Sequence, residues 1–320
     1  MPPNDDVVMC WRSRTASADP SRGWLGSGAV EIVLAAGAAV VWGLGDFCGG
    51  RATRRMSPTA VTFAGQLLSL LPLALALVVL GDPIAEAGSW AWGLLAGVGG
   101  FVGIALLYYC LANGSMSVVA PITAVVSAVV PLAVGVALGE RPSALAVVGI
   151  LVALAAITLV TGSAGSASAA TSSRVILLAV VSGASIGTSL AALDRAADDS
   201  GMWPLLAMRI MSISLAGFLL VGRGIARGGG NGSGGDPSVG LLRRIPRWAL
   251  LAGVFDMAAN ILFVAATREG MLSLVAVTSS LYPASTIVLA MRFDRERVTR
   301  LQTTGILCAG VALVLVALGR

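Results

Sequence analysis

The sequence predicts an all-α polytopic membrane protein, ten transmembrane helices forming two inverted five-helix repeats. Three observations predict it. The 320 residues are 57% hydrophobic and only 12% charged, with mean hydropathy +0.90, whereas a soluble domain carries about 25% charged residues. Such a chain has too little polar surface to face water on every side. Its apolar residues also fall into ten stretches of about 18–23 residues, each able to cross roughly 30 Å of hydrocarbon as a helix. Finally, the chain repeats itself. Shifting it by 156 residues lays WGLLAGV from Trp92 on WALLAGV from Trp248, Gly114 on Gly270, SVVA on SLVA, Glu140-Arg141 on Glu296-Arg297 and Gly149 on Gly305. About 22 of 69 positions match without a gap, and the Trp, Glu-Arg and glycine matches set this apart from shared aliphatic composition. Because five is odd, the second copy enters the membrane from the opposite side, a recurrent plan in secondary transporters.

The elements follow in order. Residues 1–28 are polar, rich in Pro, Ser and Arg, and lack a signal-peptide core, so they predict a disordered tail. Repeat 1 covers residues 29–161, with helices expected at Ala29–Gly49, Pro58–Leu80, Trp90–Leu111, Val118–Leu138 and Ala144–Thr161. A Gly/Ala/Ser linker fills residues 162–174. Repeat 2 covers residues 175–319, with helices at Val175–Leu193, Trp203–Val221, Trp248–Ala266, Met271–Ala290 and Leu301–Leu318. Helices are preferred because lipid offers no partner to an open backbone group, and the short alternating segments of a β-barrel are absent. Gly45/Gly49, Gly93/Gly97, Gly99/Gly103, Gly135/Gly139 and Gly183/Gly187 have the GxxxG spacing that lets helices approach closely. Pro121, Pro131 and Pro283 fall inside helices, where they either line a pathway or only kink the chain. Pro58 and Pro204 suit helix starts. Residues 222–247 form a Gly-rich and then basic loop (RGGGNGSGG, LLRRIPR), a flexible linker without the spacing of a phosphate loop.

Composition excludes several functions. All 21 basic residues are arginine and there is no histidine, which removes the usual proton shuttle and metal ligand. The four cysteines, Cys10, Cys48, Cys110 and Cys308, are scattered and suit apolar packing better than a metal or disulfide framework. No metal, cofactor or nucleic-acid partner is expected. The net charge of +5 reflects arginines at membrane edges, since no basic run is interleaved with aromatics. There is no Walker motif, no nucleophile beside a base and hence no catalytic residue. The expected partners are a small-molecule substrate and the lipid bilayer, with a monomer and a homodimer both open.

Ionisable groups inside a span cost about 2.5–3.5 kcal/mol on insertion scales, so they carry the most information. Arg209, Asp256 and Asp46 stand out. Arg209 sits about 9 Å and Asp256 about 15 Å from the same surface on adjacent antiparallel helices, a gap that arginine spans. Asn260 is one turn from Asp256 on the same face. Asp256, Asn260 and Arg209 are therefore expected to form a polar cluster, either on a substrate or ion pathway or as a static ion pair. Asp46 either joins that pathway, accompanied by Gln66, or is a helix-end charge near Arg51. Tyr108, Tyr109 and Tyr282 either meet substrate or pack. Trp90, Trp92, Trp203 and Trp248 begin helices as interface anchors. Glu140-Arg141, Glu296-Arg297 and Arg268-Glu269 lie in turns, where capping and ion pairing are expected.

VWGLGDFCGGRATRR (Val41–Arg55), LGERPSALAVVGI (Leu138–Ile150) and ATREGMLSLVAVTSSLYPASTIVLA (Ala266–Ala290) resemble the EamA family of the drug/metabolite transporter superfamily. The chain departs from that pattern at RFDRERV (Arg292–Val298), where an apolar residue and glycine usually precede the glutamate. The resemblance implies ten helices in two inverted repeats, a bacterial inner membrane, cytoplasmic termini and export of small metabolites. Arginines outside the helices number seven on the N-terminal side and thirteen on the other, which by the positive-inside rule favours the opposite orientation. The resulting expectation is a non-ATPase secondary transporter working by alternating access, exporting amino-acid-like or amphipathic compounds. The alternatives are a sugar or nucleotide-linked substrate, which calls for several basic pathway residues, and a non-transporting scaffold or lipid-handling protein.

Overall fold

The computed structural model describes residues 27–137, 143–162, 171–193, 195–196, 200–227, 246–269, 278–279, 281–296 and 298–318. Their regular elements are all helices: α1 (Ser27–Thr53), α2 (Pro58–Leu80), α3 (Ala87–Asn113), α4 (Met116–Ala137), α5 (Ala144–Gly162), α6 (Ser173–Leu193), α7 (Trp203–Arg227), α8 (Arg247–Glu269), α9 (Tyr282–Phe293) and α10 (Arg300–Leu318). Six of them, α1, α2, α3, α6, α7 and α8, contain segments long and apolar enough to cross a membrane, and Met116–Val130 is a shorter apolar helix. The expected tail, most of the 162–174 linker, the Glu140-Arg141 turn and most of the 222–247 loop lie outside the described residues.

Local chemistry sets the boundaries. Ser57 caps α2 by accepting from the Ala60 N–H at 3.3 Å, Pro58 opens its first turn, and Gly81 ends it at φ 63°, a left-handed cap that glycine adopts without penalty. Several boundaries depart from expectation; α3 begins at Ala87, and α8 runs to Glu269, so Arg268 and Glu269 end that helix instead of lying in a turn. α1 continues past Gly49 to Thr53, because Arg51 and Arg54 are held there by Asp294 at 3.2 and 2.8 Å. α7 runs to Arg227 instead of Val221. α9 is helical from Tyr282 to Phe293, after a turn at Leu281 whose φ/ψ of −79°/4° departs from the helix. Thr278 and Ser279 are again helical, so the described part of the expected Met271–Ala290 helix is interrupted at Leu281. Pro283 explains the interruption, since it lacks the N–H that a continuous ladder would need; residues 270–277 lie outside the described residues.

The helices pair in a reciprocal pattern. α1 packs on α8 as α3 packs on α6; α2 on α8 as α7 on α3; α9 on α1 as α4 on α6. Each relation becomes its mate when helices 1–5 are exchanged for helices 6–10. The pairs α2–α7 and α5–α10 map onto themselves. This self-consistent exchange is the signature of a two-fold relation, here within one chain. Directions agree. Gly217 faces Phe63, Arg209 bonds Gln66 and the Met202 N–H bonds Asp82, so α2 and its mate α7 run antiparallel. The repeats are therefore flipped relative to each other.

Glycines allow the closest crossings. A Cβ on Gly253 would lie 1.9 Å from the Gly65 carbonyl oxygen, so α8 and α2 meet backbone to backbone. Gly93 and Gly97 face Pro204 to Met211 of α7, while Gly183 and Gly187 face Thr123 to Val130 of α4. Burial is arranged the opposite way from a soluble protein. Val78 is 81% and Phe218 76% exposed on the outside, while Arg209 is 2% and Asp46 8% exposed. An apolar outer face around buried charge fits lipid, not water, as the surrounding solvent.

Candidate functional site

The polar cluster is built from α2, α7 and α8 where the two repeats meet. Arg209 lies in the second turn of α7, one face of which packs on α3 and another on α2. From there its Nη2 donates to Asp256 Oδ2 at 2.6 Å, and its Nη1 donates to Gln66 Oε1. One guanidinium thus ties a side chain of repeat 1 to a carboxylate of repeat 2. The planar fork of arginine permits two directed bonds from one group. Its Nε is buried with no acceptor among the described residues. Asn260 donates from Nδ2 to the Asp256 carbonyl at 2.6 Å and lies 3.4 Å from Asp256 Oδ1. It braces the carboxylate but makes no bond to Arg209 among the described residues. Gln66 likewise belongs to Arg209, not to Asp46 as the sequence suggested. Its depth in α2 matches that of Arg209 because α2 and α7 are antiparallel.

Asp46 is buried on α1, seven residues before the helix ends. The helix-end reading of Asp46 is therefore corrected: α1 runs a further turn, so Arg51 stands in its last turn and Asp46 lies buried inside. Gly45 brings α1 against α8, with the Asp256 backbone nitrogen 3.4 Å from where a Cβ would stand. α1 thereby packs on the turn of α8 that carries Asp256. Tyr108 of α3 is buried, and its ring fills the notch left by Gly49. Tyr282 is half-buried at the start of α9. Its ring meets Trp42 edge-on at 6.3 Å, and Trp42 meets Phe263 at 5.5 Å.

Sequence reasoning missed Trp42. Its signal was spacing: it precedes Asp46 by four residues and so shares its helix face. It also missed the partners of the polar turn. Glu296 Oε2 accepts from Ser115 Oγ at 2.8 Å and the Ser117 N–H at 3.1 Å, and Oε1 from the Met116 N–H at 2.8 Å. The capping expected of Glu296 is thus directed across the molecule, to the start of α4. Among the anchors, Trp90 and Trp203 touch each other at 5.9 Å. No group of three or more Cys, Asp or Glu residues with metal-site spacing occurs among the described residues.

An inside-out helical bundle, duplicated and flipped, with a buried ion pair of one half bonded to a glutamine of the other, defines a multi-pass membrane protein of duplicated architecture. The chain belongs to the EamA-like transporter family, which matches residues 29–162 and again residues 173–318. Members of this family are transporters of the drug/metabolite type, not enzymes. One solved crystal structure of a protein superimposes with a TM-score of 0.53 at 15% identity, covering 91% of this chain and 98% of its own; that likeness concerns the fold. No curated protein matches the chain.

Proposed function

We propose that this chain is a secondary transporter that exports amino-acid-like or amphipathic compounds across the bacterial inner membrane by alternating access. In this reading ten helices span the bilayer and both termini are cytoplasmic. Arg209, Gln66, Asp256 and Asn260 form the polar floor of the pathway, with Asp46, Tyr108 and Tyr282 beside it. The observation that carries the reading is the Gln66–Arg209–Asp256 bridge. A buried charge in a span is costly unless paired, and although Arg209 and Asp256 both belong to repeat 2, the guanidinium also reaches across the seam to Gln66 of repeat 1. That cross-repeat bond can be made and broken as the halves rock. The unused Nε of Arg209 offers a donor to an incoming ligand.

The test is proteoliposome transport against a panel of amino acids, amines, sugars and nucleotide-linked compounds, with and without a pH gradient. Transport of at least one amphipathic member is expected, and Asp256→Asn should abolish it or remove its response to the gradient. Unchanged transport and gradient response in Asp256→Asn would defeat the coupling role of the pair. Selective transport of a sugar or nucleotide-linked compound would replace the substrate class.

A further inference from the structure

We propose that Asp294, with Arg51 and Arg54, is a one-sided ionic clamp. It favours closure of the end of the bundle where α1 and α9 finish, so the two orientations of the flipped repeats are unequally populated. The proposal rests on the rocking of the repeats in the transporter reading above and adds the device that biases that motion.

The first support is a set of contacts across the seam. Arg51 Nη1 lies 3.2 Å from Asp294 Oδ1, and Arg54 Nη2 lies 2.8 Å from Oδ2. Both arginines belong to repeat 1 and the aspartate to repeat 2. The Asp294 side chain is 8% exposed, against 30% and 40% for the arginines, so the carboxylate depends on them for its counter-charge. Its Oδ2 has no aligned hydrogen bond among the described residues and is held by charge. The neighbouring Phe293 packs on Phe47 of α1 at 5.8 Å. The Arg51 guanidinium stands over the Phe47 and Trp248 rings at 5.5 and 5.2 Å. Opening this end must draw Phe293 from Phe47 and strip the carboxylate of both partners.

The second support is what the repeat-related turn lacks. Inverted copies with identical contacts would close either end equally well, and only their differences bias the choice. The 156-residue shift lays Glu296 on Glu140, so that acid is common to both copies. The same shift lays Phe293 on Ala137, Asp294 on Leu138 and Arg295 on Gly139. Ala137 supplies no ring and Leu138 no charge, so the clamp is written into one copy alone. The backbone agrees. Arg295 holds φ 55°, a conformation suited to glycine, where its mate keeps glycine. Strain of this kind persists where the surroundings enforce it. The departure of RFDRERV from the family pattern falls on these same residues, so the clamp belongs to this chain and not to the shared fold.

The experiment uses the full chain in nanodiscs, with pulsed dipolar EPR reading distances between spin labels in a background lacking Cys10, Cys48, Cys110 and Cys308. One label pair replaces the exposed Arg55 and Thr303 across the clamped end, and a second replaces the exposed Glu86 and Arg195 across the other. The parent should show mainly the short distance at the clamped end. Asp294→Leu should raise the population of a discrete longer distance there about threefold or more, as expected from losing two partly exposed ion pairs, while the other end shortens. Asp294→Glu should resemble the parent, and Asp294→Arg combined with Arg51→Asp and Arg54→Asp should restore closure. Salt at about 1 M should move the parent toward Asp294→Leu and leave that variant unmoved. Helical circular dichroism and melting temperature check that each variant is folded, and the salt arm needs no substitution at the clamp. Unchanged populations in Asp294→Leu overturn the clamp, as does an equal salt response in parent and variant. If a panel compound is transported and both ends exchange without regard to Asp294, the clamp fails while the transporter reading stands. If Asp294 sets the distances at both ends but no panel compound is carried, the clamp stands and the transporter reading fails.

Discussion

At the residue scale, the Arg209–Asp256 pair is the most consequential contact. Arg209 is 2% exposed and Asp256 16%, so neither charge is screened by water when its partner is removed. Arg209→Met should destabilise the protein by about 3–5 kcal/mol, the usual cost of leaving one buried charge alone. The double variant Arg209→Met/Asp256→Leu should recover a large part of that loss, since both charges are then gone. Thermal unfolding in detergent across this double-mutant cycle measures it, and additive losses would show that the pair is not coupled. Arg295 tells a smaller story. It is the one described non-glycine residue with positive φ, at 55°, and it stands where the repeat pattern and its mate Gly139 call for glycine. L-residues pay about 1 kcal/mol in that region, so Arg295→Gly should raise stability by about that amount. An unchanged or lower melting temperature would mean that the arginine side chain makes contacts that outweigh the strain.

At the scale of elements, glycines and trans-acting caps decide which helices meet. Gly253 has no room for a side chain against Gly65. Gly253→Val should force α8 away from α2, separate Asp256 from Gln66 and Arg209, and cost about 1–3 kcal/mol or more from overpacking. Glu296 satisfies two N–H groups at the start of α4 and the Ser115 hydroxyl, so Glu296→Ala should cost about 1–3 kcal/mol, with Glu296→Gln losing less. Much of this architecture was legible in the sequence, because hydrophobic run length and a 156-residue repeat are strong, local signals. Depth arithmetic along antiparallel helices also placed Arg209 beside Asp256. What stayed hidden depends on rotation and on partners distant in sequence. Depth alone does not say that Gln66 turns to Arg209 instead of Asp46, or that Glu296 reaches α4 and not its own helix. The interruption before Tyr282 was signalled by Pro283, yet a proline permits a kink as readily as a break. The extra turn of α1 was obscured by Arg51, which reads as a terminator until its partner Asp294 is seen.

At the scale of the whole molecule, contacts cross the seam at both ends of the bundle: Asp82, Ser89 and Trp90 meet Met202, Ser200 and Trp203 at one, and a more highly charged set closes the other. The start of α4 is held by Glu296, the Ser115 N–H bonds Thr171 Oγ1 at 3.1 Å, and Asp294 binds Arg51 of α1 and Arg54 just beyond it. The Glu296 and Asp294 bonds join the α9–α10 turn of one repeat to α4 and the end of α1 in the other, so this end is fastened across the seam. If the flipped repeats rock about the Arg209–Asp256 region, this fastening must release for the pathway to open here. Ser115→Cys/Glu296→Cys, made in a background lacking Cys10, Cys48, Cys110 and Cys308, places one thiol at the Ser115 Oγ and the other at the Glu296 Cγ, two bonds short of the oxygen that now sits 2.8 Å from Oγ, so a small shift of the turn brings them into bonding range. Oxidation should lock this end, stop counterflow and leave ligand binding from the opposite end intact, while reductant restores transport. The single variants should respond to neither treatment. Undiminished counterflow in the fully oxidised protein would mean that the two repeats do not separate at this end, and rocking between two orientations would then have to be abandoned for this chain.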